Sequence, residues 1–136
     1  MPLAPLVVCL PTNDRPTSYA FYRDVLQLET VGELADDGVP EPLQVVVNDG
    51  VRLMLIPTGG FGWIAGGREV AHAPASECVL SISAASPEAV DAMVAKARGA
   101  GAAIVTEPAD QGWAYAGAFA DPDGHVWLLT ADPPPA

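Results

Sequence analysis

The chain has 136 residues, half of them hydrophobic, which is enough for one domain with its own core and no covalent staples. Seventeen acidic residues against six basic ones give a net charge of −11, which repels nucleic acid and anionic lipid and favours cationic partners. No apolar stretch approaches the ~18 residues of a membrane span, and the first residues lack the basic and apolar regions of a secretory signal, so a cytoplasmic protein is expected.

Residues 3 to 10 read as an apolar strand. Asp14 followed by Pro16 marks a helix start, and Tyr19, Phe21, Tyr22, Val25 and Leu26 recur at helical spacing behind it. Strands are predicted near 28–34, 43–48 and 51–57, with Asp49-Gly50 as the tight turn between the last two. The acids Glu29, Glu33, Asp36, Asp37 and Glu41 fit a solvated edge. The stretch from Thr58 to Ser76 reads as a loop, because Gly59-Gly60-Phe61-Gly62-Trp63 and Gly66-Gly67 give it freedom, while Phe61 and Trp63 give it something to cover.

The second half repeats the order. A strand is predicted near 77–83, then a helix capped by Ser86 with Pro87 in its first turn, stopped by Gly99 and Gly101. Strands near 103–106, 113–120 and 125–131 complete it, and the tail from 132 to 136 is expected to be disordered. Asp49-Gly50-Val51-Arg52-Leu53-Met54 overlays Asp123-Gly124-His125-Val126-Trp127-Leu128, so the chain reads as a duplicated βαβββ unit.

Chemistry-bearing residues are sparse. Cys9 and Cys78 each sit in an apolar run and are expected to be buried reduced thiols. No Ser/His/Asp triad, Cys/His pair or phosphate-cradling glycine loop is found. Strand alternation turns Val126, Leu128 and Thr130 to one face and His125, Trp127 and Leu129 to the other, so His125 is expected to be a structural hydrogen-bonding group beside Asp121 and Asp123.

The run Asp121-Pro122-Asp123-Gly124-His125 leading into a strand, the helix motif Ala20-Phe21-Tyr22-Arg23-Asp24-Val25-Leu26 and the duplication together resemble the vicinal-oxygen-chelate superfamily of glyoxalases, bleomycin-resistance proteins and extradiol dioxygenases. The spacing is similar to a group of small bacterial proteins labelled predicted lactoylglutathione lyases. The resemblance implies an α+β fold over residues 1–136, with two βαβββ modules (about 3–57 and 77–131, joined by a loop at 58–76) forming a curved mixed-sheet cup with helices outside. It also implies a homodimer.

In that family four strand positions chelate a divalent metal, and the resemblance places them at Val7, Met54, Glu77 and Leu128. Only Glu77 can ligate, so neither a metal nor another cofactor is expected. The readings that follow are a metal-free protein that binds or sequesters a small cationic or aromatic molecule, a metal-dependent glyoxalase-like lyase or dioxygenase, and a dimerising scaffold. Ligand-binding candidates are Glu77, Arg52, Trp113, Tyr115, Met54, Leu128, Cys9, Phe61 and Trp63, with Arg52 and Glu77 expected within salt-bridge reach.

Overall fold

The computed structural model describes residues 4–133 and divides between Val70 and Ala71 into two compact units. In the first, β1 (Leu6–Thr12) runs into α1 (Arg15–Asp24), followed by β2 (Glu29–Val31), β3 (Leu43–Asn48), β4 (Val51–Pro57) and α2 (Thr58–Ile64). The sheet order is β1-β4-β3-β2, with β1 parallel to β4 and the remaining neighbours antiparallel.

α1 starts where the chain supplies a cap. The Asp14 carboxylate accepts the Thr17 amide at 3.2 Å, satisfying an amide that the first helical turn leaves without a partner, and Pro16 lies in that turn. Gln27, at φ 54°, turns the chain out of the helix. Phe21, Tyr22, Val25 and Leu26 are buried, the two rings edge to face at 5.3 Å. α1 contacts β3 and β4, whose Leu43, Val45, Leu53 and Leu55 are at most 1% exposed.

The acidic stretch expected to be a solvated edge has an anchor. Arg15 on α1 meets the Asp37 carboxylate at 3.0 Å and that of Glu41 at 3.2 Å, and donates to the Pro40 carbonyl at 2.7 Å. One half-buried guanidinium thus ties the segment between β2 and β3 back to the helix.

The second unit repeats the first in topology. β5 (Val79–Ser83), α3 (Pro87–Gly99), β6 (Ile104–Asp110), β7 (Tyr115–Ala120) and β8 (Val126–Ala131) give the sheet order β5-β8-β7-β6, again with the first pair parallel. Ser86 Oγ accepts the Ala89 amide at 3.1 Å, Glu88 lies in the first turn and Lys96 and Arg98 in the last, as the helix dipole favours. Val90, Val94 and Ala97 form its buried stripe.

Several expectations need correction. Thr58–Ile64 is a helix rather than the start of a loop: the Thr58 hydroxyl donates to the Thr12 carbonyl at 3.2 Å and to Asn13 Oδ1 at 2.9 Å, and this anchoring offsets the poor helix propensity of three glycines. β5 begins at Val79, leaving Glu77 in the bend before it, and β6 extends to Asp110. Both cysteines are free thiols, but Cys78 is exposed and Cys9 only half-buried. For the tail, residues 134–136 lie outside the described residues. Among the described residues no helix is long and apolar enough to cross a membrane.

Candidate functional site

Register decides which side chains share the face of each sheet opposite its long helix, α1 in the first unit and α3 in the second. In the first unit Leu53 and Leu55 are buried on the α1 side, so alternation sends Arg52, Met54 and Ile56 to the opposite face. Val7 pairs with Arg52 and Cys9 with Met54 across β1, while Val46 and Gln44 pair with the same two residues across β3. The structure therefore brings Val7, Cys9, Arg52 and Met54 together as neighbours on adjacent strands, with side chains ~5 Å apart. All but Val7, which is 38% exposed, are half-buried. Phe61 is half-buried on α2, and Trp63 is 82% exposed.

In the second unit Gly117 fixes the faces. A side chain there would start 3.1 Å from Val94 of α3, so Tyr115, Gly117 and Phe119 of β7 look toward the helix. Their partners Ala131, Leu129 and Trp127 follow, and the opposite face carries Ser81, Leu128 and Ala118 as one row. Leu128 is half-buried there.

Tyr115 accordingly does not share a face with Leu128, contrary to its selection as a companion ligand-binding residue. Its hydroxyl donates to Asp91 Oδ1 on α3 at 2.6 Å. Trp113, 67% exposed, lies in the bend before β7 and outside the strand alternation.

The Asp91 hydrogen bond, aided by partial desolvation and the charges of Asp91 and Glu88, raises the Tyr115 pKa above the ordinary phenol value. The folded value exceeds the unfolded one, so the contribution to stability is complete below the unfolded pKa and disappears as pH rises through the folded one. In a phenolate absorbance titration Tyr115 is expected to ionise late, and Tyr115→Phe to remove that late step. An unchanged titration in the variant would refute the assignment.

The turn between β7 and β8 is built on Asp121, which is 5% exposed. Its Oδ1 accepts the backbone amides of Asp123 and His125, each at 2.9 Å, while its own amide donates to the His125 carbonyl at 2.8 Å. Asp121, Asp123 and His125 bring one potential metal-ligand atom each within 4.8 Å of one another. Sequence alternation did not reveal this group, because His125 precedes β8 and belongs to the turn, where strand parity has no force. The Asp-x-Asp-x-His spacing was the signal available.

Arg52 and Glu77 fall in different units. Among the described residues neither makes an ion pair or a side-chain hydrogen bond. Glu77 is exposed.

A family model described as glyoxalase/bleomycin resistance protein/dioxygenase superfamily matches residues 5–129. The chain belongs to that superfamily. Its α+β architecture, two four-stranded mixed sheets with three helices, matches that of solved superfamily structures. A hypothetical protein from S. aureus is similar at 22% identity and a TM-score of 0.79, over 96% of this chain and 95% of that one. TnmS3, an antibiotic binding protein from Streptomyces sp. CB03234, is similar at 22% identity and a TM-score of 0.67, over 96% and 97% of the two chains. A lactoylglutathione lyase from Agrobacterium tumefaciens is similar at 20% identity and a TM-score of 0.66, over 96% and 94%. At these identities the likenesses establish the superfamily fold and nothing finer. No curated protein sequence matches the chain.

Proposed function

We propose that this superfamily member is a metal-free protein that binds or sequesters a small molecule, in the manner of the antibiotic-binding relatives of its fold. The observation that carries the reading is the character of the first sheet's face opposite α1. Val7, Cys9, Met54 and Arg52 offer a mainly apolar surface with one cation, which suits stacking and orientation of a ligand and supplies no general acid, base or nucleophile pair. Of the four positions that the superfamily uses for metal, Val7 and Leu128 carry no donor atom, Met54 offers only a thioether, and Glu77 alone has oxygens. That set does not fit a catalytic divalent ion.

Phe61 and Trp63 in the first unit, and separately Glu77, Leu128 and Trp113 in the second, remain proposed ligand contacts, and a homodimer remains the proposed assembly. A calorimetric and thermal-shift screen against glycopeptide antibiotics and polyaromatic molecules of either charge is expected to find a binder, and Glu77→Ala tests that proposed contact by a tenfold loss of affinity. A screen with no binder would count against sequestration, and unchanged affinity in the variant would remove Glu77 from the proposed contacts. Light scattering tests the dimer.

A second reading draws on the Asp121, Asp123 and His125 group, whose oxygens and imidazole are a donor set that a divalent ion accepts. A metal-dependent lyase would then be revived by stoichiometric metal in protein purified without chelators, together with turnover of the methylglyoxal–glutathione hemithioacetal.

A further inference from the structure

We propose that the first sheet's face opposite α1 takes an organic anion, an apolar planar body bearing a carboxylate, and that Arg52 is the group that receives the carboxylate. The inference rests on the small-molecule reading above and adds the charge of the ligand, which the acidic composition alone would assign as positive.

The six basic residues divide sharply by their surroundings. Arg15 is held by Asp37 and Glu41, Arg23 by Asp24 and Arg98 by Glu107, and Arg68 donates to the Ala65 carbonyl. Lys96 is exposed on α3, where solvent satisfies its ammonium. Arg52 alone combines partial burial with the absence, among the described residues, of any ion-pair or hydrogen-bond partner. In a chain with seventeen carboxylates, leaving that guanidinium unpaired is the anomaly.

The local register explains why no acid of the same sheet answers it. Arg52 sits between Val7 on β1 and Val46 on β3, and Met54 follows it along β4. The row continues from Val46 to Glu29, two strands away and ~10 Å across the sheet at ordinary strand spacing. Glu29 is exposed at the far edge and, among the described residues, forms no ion pair.

A cation desolvated among apolar neighbours is costly unless an anion joins it. The planar guanidinium fork matches a carboxylate in two parallel hydrogen bonds, and the valines and methionine beside it present the surface on which an apolar ring would lie. At physiological ionic strength charges beyond ~8 Å are screened, so the chain's net negative charge weakens capture from a distance more than it weakens the contact itself.

The test uses 2-naphthoate and its neutral counterpart 2-naphthamide, titrated by calorimetry into the full-length protein, Arg52→Met and Arg52→Lys. Wild type is expected to bind naphthoate at least tenfold more tightly than naphthamide. Arg52→Met should lose that preference while keeping its naphthamide affinity, and Arg52→Lys should keep part of it. Without ligand, Arg52→Met should melt about 3 °C above wild type, because an unpaired half-buried charge has been removed. A lower melting temperature would mean that a protein carboxylate already partners Arg52, which overturns the proposal. Equal wild-type affinity for the two probes, or unchanged naphthoate binding in Arg52→Met, overturns the anion anchor and leaves small-molecule binding standing. Failure of wild type to bind either probe overturns the anion anchor, and the broader screen then decides small-molecule binding.

Discussion

Replacing Trp127 by alanine is expected to lower the unfolding free energy by about 3–5 kcal/mol, the largest effect of any single substitution considered. Trp127 is 1% exposed and pairs across the sheet with Phe119 on one side and Leu80 on the other. Its face looks toward α3, whose Val90, Val94 and Ala97 are at most 1% exposed. Several close-packed elements therefore border the space that truncation would open, and a rigid wall cannot collapse into it. For a domain with ~5–15 kcal/mol of total stability this removes a large share of the margin. Urea denaturation followed by circular dichroism would show a lowered midpoint with a preserved slope. A loss under ~1 kcal/mol would contradict the packing. Trp63→Ala, at an 82% exposed position, serves as the control and should change little.

Asp121→Ala is expected to cost about 3 kcal/mol, by a different route. The carboxylate oxygen that accepts the Asp123 and His125 amides would vanish, and both donors would lose their partner in a part-buried turn. Asp121→Asn retains an acceptor oxygen without the charge and should recover about half of the loss. The pair of variants also separates the turn's mechanical role from metal ligation. If Asp121 acts by holding the turn, the stability difference persists in EDTA. If it acts through an ion, EDTA brings wild type down to the variant.

Much of the architecture was legible because each local signal agreed with its neighbours. Asp14 and Ser86 both cap the helices they announced, and the Asp49-Gly50 and Asp123-Gly124 echoes fall at equivalent β3–β4 and β7–β8 connections. What stayed hidden depended on partners remote in sequence. α2 is glycine-rich and has no cap of its own, and it is held by a Thr58 hydroxyl reaching back to the end of β1. The acidic stretch around Asp37 and Glu41 read as bare surface because its cation, Arg15, lies on the preceding helix. Alternation along β7 leaves open which face α3 covers, and the residue that Tyr115 meets there, Asp91, lies 24 positions away. His125 and Glu77 both escaped strand parity for one reason: β8 and β5 start after them.

In the candidate face of the first unit the sequence supplied the members and the structure supplied their neighbours. Val7, Cys9, Arg52 and Met54 follow from alternation along β1 and β4, but the register that sets Val7 and Val46 on either side of Arg52 does not. That register excludes an adjacent acid, so the isolation of Arg52 became visible only once the strands were paired.

Gly124 has a meaning beyond its turn. At φ 90° it suits glycine, and a side chain placed there would start 2.6 Å from Ala73 Cβ, in the segment that leads to Glu77 and β5. The motif that marks the superfamily in sequence is thus also a spacer, setting how closely a stretch of chain some fifty residues upstream can settle. Enlarging Gly124 would push on Ala73 and so on the segment that approaches Glu77, without touching Glu77 itself.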